Sequence, residues 1–315
     1  MKKGMKVSVI STVKNEEDSI SDTLISLLKQ TYNPDEIILV DGGSTDRTLD
    51  IIKKFQKENK KIKLIVSKGA SRMKGRNIAI ENAKNEVIAF TDGGCIVDER
   101  WLGNLMKRIE KGAEAVAGNS SPLYENLFER CQGELLLGNK FLPPTFNGNV
   151  FPSARSEALL KRVWKEAGGY SEDKPADDGF FHFKVSDAGY RYVQAEDAVV
   201  RWRMRKTWKS LFRQFFNYSK WDAQSGLLLR QPRSMALIFG FYVYVLALLY
   251  SLIVQNMTLV YVLIALLVLY GLVPAMEVTI KTKRLKSIFY GFGIQFTRRL
   301  AYITGFHYGL FSKKP

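Results

Sequence analysis

The stretch Glu86-Val87-Ile88-Ala89-Phe90-Thr91-Asp92-Gly93-Gly94-Cys95 sets the narrowest limits on the fold. It opens as a short apolar run rich in strand formers and stops at an acid followed by two glycines. Such a run, bounded by turn chemistry, reads as a strand buried on both faces. Strands of that kind belong to parallel sheets, which place their ligands beyond the carboxyl ends of the strands. Asp92 falls at that end, and Gly93 and Gly94 let backbone and ligand approach closely. A carboxylate there can hold a hard divalent cation, and the cation can hold phosphate oxygens. The plainer reading is an Asp that caps the turn after the strand.

The same pattern recurs upstream. Residues 6–11, 36–40 and 62–66 read as strands, the second ending at Asp41. Between them lie helices with Ile20, Leu24, Leu27 and Leu28 on one face, then Leu49, Ile52 and Phe55. Asn33-Pro34 stops the first helix, and Ser44 or Thr45 can cap the second. Gly69-Ala70-Ser71 leads into a third helix through Arg76, Ile80 and Ala83. Strand and helix in alternation predict an α/β domain, with a mostly parallel central sheet and helices on both faces. Asp41 and Asp92 then close two strands at one edge. Further on, the reading is a helix over 101–112, a strand over 113–118 and irregular chain over 120–152 with Pro143-Pro144 and Gly148. A helix over 156–166 follows, broken by Gly168-Gly169-Tyr170. Pro175-Ala176-Asp177-Asp178-Gly179 precedes a helix through Phe183 and Val185. Two closing strands, 190–195 and 198–202, complete a domain over 1–204.

Composition shifts after that. Trp208, Leu211, Phe212, Phe215 and Phe216 fall at helical spacing, with Lys209, Arg213 and Lys220 off the stripe. Arg201, Arg203, Arg205 and Lys206 precede it. A basic helix with a bulky aromatic face over 205–234 suits an anionic membrane surface, or packs on the domain before it. Residues 235–254 and 257–276 are uncharged apolar runs, each close to the roughly 20 residues that cross a bilayer. Only Gln255-Asn256 separates them, so they form a hairpin. Arg230 and Arg233 precede it, and Lys281, Lys283, Arg284 and Lys286 follow. That bias places both flanks and the N-terminal domain on the cytoplasmic side of a multi-pass protein of the cell membrane. The segment 277–315 is apolar but carries Arg298-Arg299. It is expected as one or two interfacial helices, with a re-entrant or third spanning segment as the alternative.

The chain of 315 residues carries a formal charge of +16 and has a pI near 9.7, which calls for an anionic partner. The basic residues cluster beside the apolar runs, as expected for anionic lipid and not for nucleic acid. Cys95 and Cys131 form no metal-type spacing and no bridge framework, which fits a reducing compartment. Residues 1–6 run straight into a strand pattern with no leader features. His182 and His307 have no partner at ligand spacing and read as packing or surface residues.

Four segments together resemble the family 2 glycosyltransferases: Val7-Ser8-Val9-Ile10-Ser11-Thr12-Val13-Lys14-Asn15-Glu16-Glu17, Leu39-Val40-Asp41-Gly42-Gly43-Ser44-Thr45-Asp46, Ala89-Phe90-Thr91-Asp92-Gly93-Gly94 and Ala176-Asp177-Asp178. Order and spacing match over roughly the first 200 residues. The resemblance implies the GT-A fold, which is Rossmann-like, together with a nucleotide-sugar donor, a divalent metal (Mg²⁺ or Mn²⁺) and inversion at the anomeric carbon. It places Thr12 and Glu16 in the nucleoside pocket and Asp41 against the base. Gly69, Arg76 and Asn77 would lie near the ribose and diphosphate, with Gly93 beside the donor. Asp92 would be the metal-binding acid and Asp178 the catalytic base. Gly169 and Tyr170 would form the acceptor-side turn, and Arg201, Trp202, Arg203 and Arg213 would face a lipid-linked or other membrane acceptor.

Three departures stand out. Thr12 replaces the family's usual Pro, and Gly94 replaces the second acid of the Asp-x-Asp motif. The metal would then lean on donor phosphates and water, or on another acid such as Asp98. The Gln-x-x-Arg-Trp element of processive synthases has only a loose echo in Arg213-Gln214 and Lys220-Trp221, so polymerisation is not expected. Two other readings stay open. One is a catalytically inactive membrane scaffold, kept alive by Gly94. The other is a sugar nucleotidyltransferase, opposed by a glycine-free loop, Thr12-Val13-Lys14-Asn15-Glu16, in place of a phosphate cradle. Asp177-Asp178 also reads as two acids favoured by a helix N-terminus.

Overall fold

The computed structural model describes residues 4–137, 145–146, 149–150, 152–172, 178–226 and 232–312. Pro143-Pro144, Gly148, Pro175, Ala176, Asp177 and Arg230 lie outside them. Two compact units divide the chain at residues 122–123, 139–140 and 203–204, apart from a short crossing at 174–176.

The first unit is built on an eight-stranded sheet in the order β3-β2-β1-β4-β9-β6-β10-β5. Its first half comprises β1 (Val7–Val13), β2 (Glu36–Asp41), β3 (Ile62–Val66) and β4 (Val87–Phe90), all parallel. The helices α1 (Ile20–Leu28), α2 (Thr48–Glu58) and α3 (Arg72–Glu81) connect them. Side chains alternate across the strands and feed two separate cores. Val7, Val9, Ile37 and Leu39 meet Ile20, Leu24 and Ile52 on one face. Ile10, Ile38, Val40 and Phe90 meet Met73 and Ile80 on the other. Helices therefore cover both faces, and the strand order reverses between β1 and β4, the switch point beyond whose carboxyl ends sheets of this kind form their ligand crevice. The start of α2 is held by Asp46, whose carboxylate accepts the Thr48 N–H at 3.0 Å, not by Ser44 or Thr45.

The second half comprises β5 (Ile96–Val97), β6 (Ala115–Leu123), β9 (Glu157–Leu160) and β10 (Tyr192–Arg203), with helices α4 (Trp101–Ile109), α6 (Lys161–Glu166) and α7 (Asp178–Asp187). A small pair, β7 (Thr145–Phe146) and β8 (Asn149–Val150), stands apart. β9 runs antiparallel to both β4 and β6, so the sheet is mixed. The helix expected over 156–166 is therefore a strand and then a short helix. Glu157-Ala158-Leu159-Leu160 has helix-forming composition, and its place between two strands overrides that preference. The two closing strands are one, β10, whose centre carries the outward acids Glu196 and Asp197.

The second unit is helical. It contains α5 (Leu127–Leu137), α8 (Trp208–Ser225), α9 (Pro232–Ile253), α10 (Met257–Thr282) and α11 (Ser287–Phe311). α5 replaces the irregular chain expected there. Asn126 Oδ1 accepts the Glu129 N–H at 3.0 Å, and the Glu129 carboxylate accepts from Asn126 Nδ2 at 2.9 Å, so the two side chains cap the helix start together. α8 starts with a Thr207–Ser210 capping box and ends at the left-handed Gly226. Phe128 and Cys131 pack with Leu211, Val278 and Ile294.

α9 and α10 contain two segments long and apolar enough to cross a membrane, Ser234–Ile253 and Met257–Thr282. They leave large apolar side chains outward, among them Phe239, Leu246, Ile253 and Val273, where the helices of a soluble core would bury them. α11 is a single 25-residue helix. Small residues let it close on its neighbours. A Cβ on Gly291 would lie 2.8 Å from the Ala275 Cα on α10, and one on Gly309 would lie 2.5 Å from the Lys220 carbonyl oxygen on α8. One on Gly305 would overlap the Phe216 carbonyl oxygen. Gly305→Ala is expected to destabilise the protein by about 1–3 kcal/mol through overpacking. Gly240→Ala, with open space around it, should leave the melting temperature unchanged. Equal melts for the two variants would show that α8 and α11 do not pack this closely.

Candidate active site

The crevice beyond β1 and β4 is organised by one buried cation. Arg76 lies on the inner face of α3 with its side chain 3% exposed. One terminal nitrogen donates to Asp92 Oδ1 at 2.7 Å, just past β4. The other pairs with Asp178 Oδ1, at the first position of α7. Its guanidinium carbon stands 5.5 Å from the centre of the Tyr170 ring. Gly75, the preceding residue, makes this position reachable: a Cβ there would sit 2.9 Å from the Thr12 Cγ2. α3 thus closes directly on the end of β1.

Charge around Asp92 is strongly positive. Burial works to raise its carboxyl, but Arg76, Arg72 and Arg155 outweigh that and hold it below the usual carboxylate range. Arg72 and Arg155 were not among the expected site residues. Arg72 is one turn before Arg76 on α3, so helical spacing alone could have found it. Arg155 precedes β9 and stacks 3.9 Å over the ring of Trp202. With β9 unread, nothing in the sequence pointed to it.

The post-strand loop is tight. Gly93 donates its N–H to the Thr12 carbonyl at 3.3 Å, and a Cβ on it would sit 3.0 Å from Val13. Gly94 is left-handed, with φ +80°, and a Cβ there would lie 2.8 Å from Glu16 Oε2. Glu16 in turn accepts the Ser19 hydroxyl at 2.5 Å. A carboxylate therefore already stands where the second acid of Asp-x-Asp would begin. Asp92 and Glu16 both add to the burial that pushes the Cys95 thiol up. No group of three His, Cys, Asp or Glu positioned for a metal occurs among the described residues. The donor set suits a cation held by one or two carboxylates here, with phosphate oxygens supplying the rest. Asp98 lines a different cavity of about 730 Å³, with Asp22, Asp197 and Arg201.

Several expected residues have other tasks. Asn77 spends its whole carboxamide on the chain. It donates to the Tyr170 carbonyl at 2.8 Å and to Glu172 at 3.0 Å, and accepts from the Tyr170 N–H at 2.9 Å and Trp164 at 3.0 Å. That leaves it nothing for a donor sugar, and it fixes the Gly169–Tyr170 turn instead. Gly169, at φ +62°, has no room for a side chain, since a Cβ would meet Asn77 Oδ1 and Trp164 Nε1 at 3.3 Å. Tyr170 is buried and stacks on Phe181 at 4.1 Å, a wall behind Arg76 and no acceptor contact. Asp41 is fully buried, and its carboxylate accepts the N–H groups of Gly43 at 2.8 Å and Ser44 at 2.9 Å together with the Ser44 hydroxyl. It shapes the turn after β2. Gly69 is left-handed and donates to the Gly42 carbonyl at 3.2 Å. Arg203 pairs with Asp22 at 2.5 Å, on the same strand face as Arg201. Arg213 belongs to α8 of the other unit.

α7, which carries Asp178, is anchored at two points. Lys184 donates to the carbonyls of Gly168 at 2.8 Å and Gly169 at 2.6 Å. His182, one turn after Asp178, meets Glu157 of β9 at 3.1 Å, and the Tyr192 hydroxyl donates to the same carboxylate at 2.7 Å. Both His182 and Glu157 are essentially unexposed. The packing role expected for His182 thus comes with a hydrogen-bonded carboxyl partner.

Residues 8–163 match the model of Glycosyl transferase family 2. The chain is 26% identical over 219 residues to glycosyltransferase GlyA of Streptococcus pneumoniae, covering 64% of this chain and 31% of that protein. It is 25% identical over 228 residues to glycosyltransferase AglE of Haloferax volcanii, covering 70% of this chain and 74% of that one. Its fold superposes with a TM-score of 0.62 on the mannosyltransferase PcManGT from Pyrobaculum calidifontis, solved with GDP-Man and Mn²⁺. That match is 17% identical and covers 98% of this chain and 88% of that one. The fold is GT-A, with two apolar helices appended, and through the domain at 8–163 the chain belongs to the family 2 glycosyltransferases.

Asp92, with its carboxyl held low, stabilises the fold fully above its ordinary value of about 3.9 and loses that contribution as pH falls through the depressed value. Arg76→Met strips the partner from two carboxylates and is expected to cost about 3–5 kcal/mol at neutral pH. It also lets the Asp92 value rise toward its ordinary one, so the stability that the parent loses in acid through Asp92 is already missing, and the acid limb of a melting-temperature profile should be shallower. An acid limb as steep as the parent's would mean that Arg76 is not their counter-charge.

Proposed function

We propose that this protein transfers a sugar, with inversion, from a nucleoside-diphosphate sugar to a lipid-linked acceptor at the cytoplasmic face of a membrane. The observation that carries the reading is the Arg76 bridge, which draws the strand-end acid and the helix-start acid to one cation. In the transfer, the bond from the anomeric carbon to the diphosphate breaks and its electron pair leaves with the diphosphate. The acceptor oxygen bonds to the opposite face of that carbon, and its proton passes to the Asp178 carboxylate. Asp178 is fit for this because α7 is fixed by Lys184 and His182. Arg76, Arg72 and Arg155 supply the positive charge that the leaving diphosphate needs.

A divalent cation, Mg²⁺ or Mn²⁺, would neutralise further charge on the diphosphate. Asp92 would hold it, with Glu16 beside Gly94 as a second carboxylate. The GDP-Man and Mn²⁺ bound to PcManGT support both the donor class and the cation. Thr12, Glu16 and Gly69 would line the nucleoside side of the crevice, on a floor shaped by the Asp41 turn. The outward apolar side chains of α9 and α10 support a spanning hairpin, and Lys281, Lys283, Arg284 and Lys286 after it support a cytoplasmic catalytic unit. That anchorage supports a lipid-borne acceptor.

Protein purified in detergent, given nucleotide sugars and a lipid extract, should release nucleoside diphosphate. Asp178→Asn should lower the rate by roughly 10²–10⁴-fold, the usual worth of a general base. Unchanged turnover would remove Asp178 from the chemistry. Nucleoside diphosphates screened by thermal shift with Mg²⁺ or Mn²⁺ should raise the melt, by about 2.7 kcal/mol at a hundredfold excess over Kd. A screen with no response would sink the donor assignment.

A further inference from the structure

Arg298 and Arg299 lie side by side near the middle of α11. The Arg298 guanidinium carbon is 4.9 Å from the centre of the Phe215 ring on α8, and that of Arg299 is 5.7 Å from the Tyr270 ring on α10. Both Nε atoms are buried with no hydrogen-bond partner. No ion pair or hydrogen bond joins either guanidinium to another described residue.

Two adjacent cations repel, and taking them out of water is unfavourable unless an opposite charge answers them. An aromatic face offsets only part of that loss. The pair sits in a helix that packs against α10, the second of the two apolar helices, and ionisable groups in such surroundings mark ligand sites. Each residue is part-exposed as a whole, and only the Nε atoms, not the terminal nitrogens, are among the buried unpartnered atoms. Forked guanidinium donors match the oxygens of a phosphate. Leu300, the next residue, and Phe289, about three turns earlier, are 58% and 77% exposed. A ligand held by the arginines would thus find hydrocarbon surface on the same helix.

We propose that Arg298 and Arg299 bind the phosphate group of a membrane lipid, whose chains lie along the exposed apolar side chains of α11. This site stands on the C-terminal unit alone and does not rest on the transfer reaction.

The test uses full-length, delipidated protein in neutral detergent, with three probes: short-chain phosphatidic acid, the matching diacylglycerol and inorganic phosphate. Phosphatidic acid should raise the melting temperature, diacylglycerol should not, and inorganic phosphate should do so at least tenfold more weakly. Arg298→Gln/Arg299→Gln should lose the response and, without lipid, melt no lower than the parent, because it removes unanswered charge. Lys283→Gln/Lys286→Gln should respond like the parent. An equal response in the double arginine variant, or its loss in the lysine variant, would overturn the site. So would a lipid-free double arginine variant that melts lower than the parent. A match between diacylglycerol or inorganic phosphate and phosphatidic acid would overturn the lipid phosphate as occupant. Should the double glutamine variant not fold, Arg298→Lys/Arg299→Lys keeps the charge but not the fork. It should weaken the phosphatidic acid response at least tenfold while keeping any shift caused by a nucleoside diphosphate, and an undiminished response would overturn the proposal.

Discussion

A single guanidinium, buried under α3, determines how the catalytic unit is put together at its working edge. Arg76 meets an acid from the loop after β4 and an acid from the start of α7, two elements more than 80 residues apart in sequence. Arg76 answers both carboxylates at once, where like charges sharing one partly buried place would repel. The neighbouring residue completes the arrangement by different means. Asn77 uses four hydrogen bonds to lock the turn at Gly169–Tyr170, and that turn receives Lys184 from α7. Two consecutive residues of one helix thus set the position of the α7 acid, one by charge and one through hydrogen bonds. Gly75 and Thr12 decide whether they are close enough to do so.

The replacement of the second motif acid by Gly94 has a steric explanation. The loop turns back on the end of β1, and the volume beside position 94 is taken by the Glu16 carboxylate. A side chain there would be strained by the left-handed backbone and would also collide with an acid. The negative charge expected from position 94 is present, but it arrives from the loop after β1.

The first half of the sheet was legible because unbroken apolar runs leading to Asp41 and Asp92 leave little choice of strand or direction. The acids at the crevice were legible for the same reason. The second half was not. Glu157–Leu160 has the composition of a helix and becomes a strand through pairing on both edges, which no local pattern records. Arg155 and Glu157, which flank that strand's start, went unread with it. α5 carried a local signal, Asn126 followed three residues later by Glu129, and it lay in a stretch that otherwise reads as loop. Asn77 and Tyr170 stand out in the sequence by their motifs, but their contacts turn inward, and direction is set by tertiary packing that spacing cannot show.

Because the acids beyond β4 and at the start of α7 have their counter-ion inside the protein, the chain itself balances the charge at this edge of the sheet, and Arg76 is as much a part of the fold as of the site. Substitutions at position 76 would therefore register in a cell first as scarcity of the protein. Quality control would clear the misfolded chains before any shortage of product could be traced to the site itself.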